Sequence, residues 1–140
     1  MAQGQVQPGL PQPRKLVLLS PWLDLTLSHP DLPALEPRDP WLNIEGTVEA
    51  GKVWAGGDDP TQPRLSPING QLAGLAPMDV TVGTHELCLP DVRLLEQRAE
   101  AAGADIRVTV CPGAVHVYPL VPAPEGRAEA RRIVAEIARG

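Results

Sequence analysis

No cluster of lysines and arginines occurs in the 140 residues, and the formal net charge is −5. Binding nucleic acid or an anionic membrane needs the opposite balance, so neither partner is expected. Long apolar runs are missing too. The longest uninterrupted aliphatic stretch, Leu16–Leu19, is far short of the roughly 20 residues that cross a bilayer. The first residues show no basic stretch followed by an apolar one, so no signal peptide is legible and the expected location is cytoplasmic. Cysteine is scarce: Cys88 and Cys111 form no Cys-x-x-Cys and keep no metal-ligand spacing with a histidine. They read as reduced thiols, with no metal and no cofactor expected.

What the chain does have is 43% hydrophobic residues, enough for the core of one domain, and 17 prolines, crowded into its first half. Positions 1–14 are Gln, Gly and Pro with almost nothing to bury, and read as a flexible tail before a domain over 15–140. Lys15–Leu19 is a continuous aliphatic run, the pattern of a strand covered on both faces. Ser20-Pro21 stops it. From 25 to 64 prolines recur and predict loops, with room for one helix over Glu45–Ala55.

The most ordered pattern runs from Met78 to Tyr118. Met78–Val82 alternates apolar and polar, and so does Ile106–Val110; alternation predicts strands near a sheet edge, each with one polar face. Between them Val92, Leu95, Ala99 and Ala102 form one stripe of a helix, which Gly103 ends. A last helix, Glu125–Arg139, is expected to lay Ala130, Ile133, Val134 and Ile137 on the sheet. The result is a strand-helix-strand unit with Glu86 just past its first strand and His116 just past its second. Parallel strands open their carboxyl ends on the edge where such sheets bind ligands. An acid and an imidazole delivered there are two of the three members of a nucleophile-His-acid triad.

Gly83-Thr-His-Glu-Leu-Cys-Leu-Pro-Asp91, Ala101-Ala-Gly-Ala104 and Pro112-Gly-Ala-Val-His-Val-Tyr118 together resemble the C-terminal part of the α/β-hydrolase-3 fold. That is the esterase and lipase group similar to hormone-sensitive lipase. Leu16-Val-Leu-Leu-Ser-Pro-Trp-Leu-Asp-Leu25 and Leu65-Ser-Pro-Ile68 match in the same order. The resemblance implies an α/β fold class: the C-terminal half of an α/β-hydrolase, about three parallel strands with flanking helices. It makes 25–64 a cap-like region helping to form an acyl pocket, Glu86 and His116 the catalytic acid and base, and a small acyl ester the substrate. Aspartate is the more familiar acid of the group, but glutamate also serves in α/β-hydrolases.

Against this pattern the chain lacks a nucleophile. Its three serines, Ser20, Ser28 and Ser66, all lie outside any Gly-x-Ser-x-Gly, and no His-Gly-Gly-Gly oxyanion loop occurs. In the family both lie upstream of the strand that Leu16–Leu19 resembles. The expectation is a downstream hydrolase half, inactive alone, whose Leu16–Leu19 forms an open edge awaiting an N-terminal half or a second copy. Other readings remain at this stage. His116 as a backbone-bonded loop histidine is one. Asp91 is the second candidate acid, though as a helix cap it would do no chemistry. Asp24 serves either a pocket or the turn after it. His85 turns to solvent or backs the loop, and Trp22 and Trp54 line the pocket or simply pack. For the whole chain, the alternatives are a non-catalytic module binding an acyl or aromatic ligand, and an unrelated flavodoxin-like domain.

Overall fold

A computed structural model describes residues 11–139; of the expected tail, positions 1–10 lie outside the described residues. Strand β1 (Leu16–Leu19) leads through a short helix α1 (Leu32–Leu35) to α2 (Ile44–Ala55). There follow β2 (Met78–His85), α3 (Leu89–Ala101), β3 (Ile106–Val115) and α4 (Pro124–Arg139). The three strands are parallel in the order β1-β2-β3, with Leu16 opposite Met78 and Met78 opposite Ile106. The expected half-sheet with flanking helices is therefore present.

Each helix begins and ends for a local reason. Asn43 caps α2, its Oδ1 accepting the Gly46 N–H, and Gly56 closes it in the left-handed region. The inward side of α2 is small: a Cβ on Gly51 would stand 2.6 Å from the Leu25 carbonyl, so the helix lies directly on that loop. In α3 the expected stripe is buried at Val92, Leu95 and Ala99, while Ala102 is the exposed C-cap. Those three side chains meet Met78, Val80 and Val82 of β2, and Leu23, Ile68 and Leu72 from the loops, in one core. Complete burial of a valine or leucine there contributes roughly 1.5–3 kcal/mol.

The alternation in Met78–Val82 has a different cause from the one expected. β2 is the central strand, and its polar residues Asp79 and Thr81 are buried. They lie under α4. Arg132 donates to both Asp79 oxygens, at 2.8 and 3.1 Å, and also to Glu129, which accepts from the Thr81 hydroxyl at 3.1 Å. A polar face need not face water when an arginine from a distant helix neutralises it. The same network corrects the stripe expected on α4. Ile133 is buried with Glu129 and Gly126, whereas Val134 is 65% exposed and Ile137 59%. The helix is rotated toward its charged network, and a Cβ on Gly126 would meet the Tyr118 and Val121 carbonyls at 2.3 Å.

β1 is the open edge expected, and not a strand covered on both faces. Its four residues are only half-buried, since it has β2 on one side and no strand on the other among the described residues. β3 runs on through Pro112-Gly113, the expected turn, to Val115. The register slips between Gly83 and His85, and two extra β3 residues are absorbed with Gly113 at φ 73°. Gly83 is required at this bulge, because a Cβ there would lie 2.1 Å from the Ala114 carbonyl oxygen.

Replacing Arg132 with methionine leaves two buried carboxylates without their counter-charge. The expected cost is about 3 kcal/mol, read as a lowered denaturation midpoint. An unchanged midpoint would mean that the network does not hold α4 to the sheet.

Candidate active site

Glu86 follows β2 by one residue and is completely buried, at 0% exposure. A carboxylate without water must be met by donors, and three reach it. The Ser20 hydroxyl donates to Oε1 at 2.8 Å, the Gly83 N–H donates to the same oxygen, and His116 Nδ1 lies 2.9 Å from Oε2. A carboxylate accepts only, so Nδ1 carries a hydrogen, and in the neutral ring the lone pair is then on Nε2. Nε2 has no hydrogen-bond partner among the described residues. The strand-helix-strand spacing thus brings the two sequence candidates into direct contact, and the backbone-bonded alternative for His116 does not describe its Nδ1.

The sequence reading passed over Ser20 as a site residue. It follows β1 directly, at φ 44°, and besides donating to Glu86 it accepts the Val117 N–H at 2.8 Å. Val117 is itself left-handed at φ 47°, an unusual state for a β-branched residue. Two strained residues, 97 positions apart, meet at one hydroxyl and hold the loop that carries His116. Ser20-Pro21 after an aliphatic run signalled only a strand end; its partner was 66 residues away.

Asp39 was missed as well. Its carboxylate accepts from the Trp41 and Leu42 N–H groups and, across the site, from the Leu87 N–H at 2.9 Å. It ties the proline-rich segment to the residue following Glu86. Between them lies a cavity of about 320 Å³, with Trp22, Leu27, Trp41, Leu42 and Ala50 on its apolar side. His116, Cys88 and Asp91 line it too. Trp22 is therefore at the cavity, its indole N–H held by the Asp24 carbonyl at 2.7 Å. Trp54 is not: it is 74% exposed and borders a separate cavity beside Leu16 and Leu18.

The remaining candidates fall into place. Asp24 lies in the loop beyond β1. It accepts backbone and hydroxyl hydrogens from Thr26 and Ser28, the turn-tying role. Burial opposes its charge, but those four hydrogen bonds outweigh it and hold the carboxyl below the ordinary value. Ser66 is likewise structural, accepting the Leu25 N–H and donating to the Pro60 carbonyl. His85 ends β2 half-buried and outside the cluster. Asp91 sits in the first turn of α3 but caps nothing, since the helix starts earlier at Leu89 with Cys88 as its N-cap. Cys88 and Cys111 are free thiols, and Cys88 Sγ lies 3.8 Å from His116 Nδ1, a proximity their sequence spacing did not disclose.

Burial, reinforced by the charge of Asp24 and partly offset by His29, pushes the Asp91 carboxyl up to about 6. A carboxyl raised in the folded state binds more protons there than in the unfolded chain. Between its ordinary value near 4 and about 6, stability therefore falls as pH rises. Asp91→Asn should raise the melting temperature at pH 7 and change it little at pH 4. A variant without that pH dependence would show that Asp91 is not the strained group.

The chain is similar to known proteins in sequence and in fold. The α/β-hydrolase fold family, Abhydrolase_3, matches residues 1–120. An acetyl-hydrolase of Streptomyces hygroscopicus is 33% identical over 123 residues, covering 85% of this chain and 40% of that protein. An esterase of Acinetobacter venetianus is 39% identical over 103 residues, covering 73% of this chain and 33% of the esterase. The crystal structure of a hormone-sensitive lipase from a metagenome library superposes with a TM-score of 0.88 at 33% identity. It covers 94% of this chain and 46% of its own. The chain thus spans less than half the length of these relatives. Within that span, fold and sequence agree: it belongs to the Abhydrolase_3 family of α/β-hydrolases, the esterase and lipase group that includes hormone-sensitive lipase.

Proposed function

We propose that this chain supplies the acid, the base and part of the acyl pocket of a carboxylic-ester hydrolase, with nucleophile and oxyanion donors contributed by a segment outside it. The observation that carries this reading is the contact between His116 Nδ1 and the fully buried Glu86, with Nε2 left unpartnered beside an apolar cavity. Glu86 fixes the tautomer and stabilises the imidazolium. His116 Nε2 takes the proton of an incoming hydroxyl and passes it to the leaving alcohol. The ester's acyl group occupies the cavity by Trp22, Trp41 and Leu42, with residues 25–64 acting as its cap. A cavity of about 320 Å³ suits a short acyl chain, in keeping with the acetyl-hydrolase and esterase names of the relatives.

The open side of the sheet supports the missing half. Among the described residues β1 has no strand on its outer edge, and exposed or half-exposed apolar groups flank it: Leu16, Leu18 and Trp54 on one side, Val17 and Ile137 on the other. An upstream hydrolase half fits that edge; a second copy of the chain is the other candidate. Without oxyanion donors, roughly 3–4 kcal/mol of transition-state stabilisation is forfeited, so the chain alone is a poor catalyst.

The test mixes or fuses the chain with the upstream half of a relative bearing Gly-x-Ser-x-Gly, and follows hydrolysis of a p-nitrophenyl ester of a short acid. Turnover is expected only in combination, with kcat falling at least about 10⁴-fold in His116→Ala. Binding of an acyl or aromatic ligand without turnover would favour the non-catalytic module. Hydrolysis by the chain alone, lost in His116→Ala, would overturn the half-site account.

A further inference from the structure

The geometry points to a second use of the same corner: a thiophilic divalent cation, such as zinc, bound by Cys88 Sγ, His116 Nδ1 and the Glu86 carboxylate. One donor atom from each residue lies within 4.8 Å of the other two, with Nδ1 2.9 Å from Oε2 and 3.8 Å from Sγ. Bond lengths of about 2.0–2.3 Å to N, O and S place tetrahedral donors about 3.3–3.7 Å apart. The two Nδ1 separations need shifts of tenths of an ångström, and the third, between Sγ and the carboxylate, lies within 4.8 Å and closes by a rotation of the Cys88 side chain. Thiolate and imidazole together select zinc, cadmium or cobalt(II) over magnesium or calcium. An entry path exists, since Cys88 and His116 both line the cavity, and Asp91 adds negative charge there. The fourth position belongs to a water from that cavity.

The binding step balances simply. A hydrated dication meets one carboxylate, one thiol and one neutral imidazole; three metal–ligand bonds replace three to water. The Cys88 thiol proton leaves to solvent, and the imidazole hydrogen moves from Nδ1 to Nε2. The filled site is neutral, which suits burial. The shift of hydrogen also removes the lone pair at Nε2. A bound cation therefore holds His116 in the tautomer that cannot act as a base, making the site inhibitory. The inhibitory consequence rests on the proposed hydrolase role; the binding itself does not.

The test uses the full chain carrying Cys111→Ser, which leaves one thiol, and titrates cobalt(II) without oxygen. One equivalent is expected to give a thiolate-to-cobalt charge-transfer band and the intense visible bands of a tetrahedral site. Zinc should bleach both, with about one proton released per metal. Cys88→Ala should lose the charge-transfer band, its folding checked by circular dichroism. His116→Gln, which keeps the thiol, should lose the tetrahedral visible intensity. No charge-transfer band at one equivalent, or the same band in Cys88→Ala, would overturn the site. These spectra need no turnover, so an inert hydrolase and an absent metal site are told apart. In the completed hydrolase, zinc should inhibit the parent and spare Cys88→Ala; equal inhibition of both would sink the regulatory role.

Discussion

Everything near the cavity depends on one carboxylate held away from water. Glu86 is reached by a hydroxyl from the end of β1, a backbone N–H from β2 and an imidazole from the loop after β3. Each strand of the sheet sends one donor to it. Burying a carboxylate without such partners would cost several kcal/mol, so the three strand ends cannot separate independently. The strained backbone at Ser20 and Val117 persists because that convergence over-determines it. Orientation of the imidazole follows: with Nδ1 bonded to Glu86, Nε2 is the nitrogen turned to an incoming hydroxyl.

The two faces of the sheet solve different problems. One buries Met78, Val80 and Val82 against α3 and sets the frame by apolar packing alone. The other carries Asp79 and Thr81 under α4, and holds that helix through Arg132 and Glu129. The glycine at 83 and the left-handed Gly113 let β3 overrun β2 by two residues just before the loop that carries His116. The segment around α2 then closes over the site through Asp39, tied to Leu87.

Much of this was legible from the chain because it is local. The apolar period of α3, the glycine at 103 that ends it and the placing of Glu86 and His116 after successive strands are all patterns of short range. What escaped is of long range. Alternation in Met78–Val82 could not say whether Asp79 faced water or an arginine 53 residues downstream. Ser20 carries no motif of its own, and its role exists only because β1 lies beside β2 in parallel register. Cys88 next to His116 is a contact between the start of α3 and the loop after β3, 28 positions apart, which no spacing rule encodes. The exposure of Val134 and Ile137 came from the same buried charges that fixed the rotation of α4.

The most direct measurement is the ring-nitrogen spectrum of His116 in selectively ¹⁵N-labelled chain at neutral pH. The account predicts a protonated Nδ1 with a strongly downfield, slowly exchanging hydrogen bonded to Glu86, and an unprotonated Nε2; Glu86→Gln should abolish that signal. A hydrogen on Nε2, or two tautomers averaging freely, would contradict it and remove the acid-base pair on which the functional reading stands.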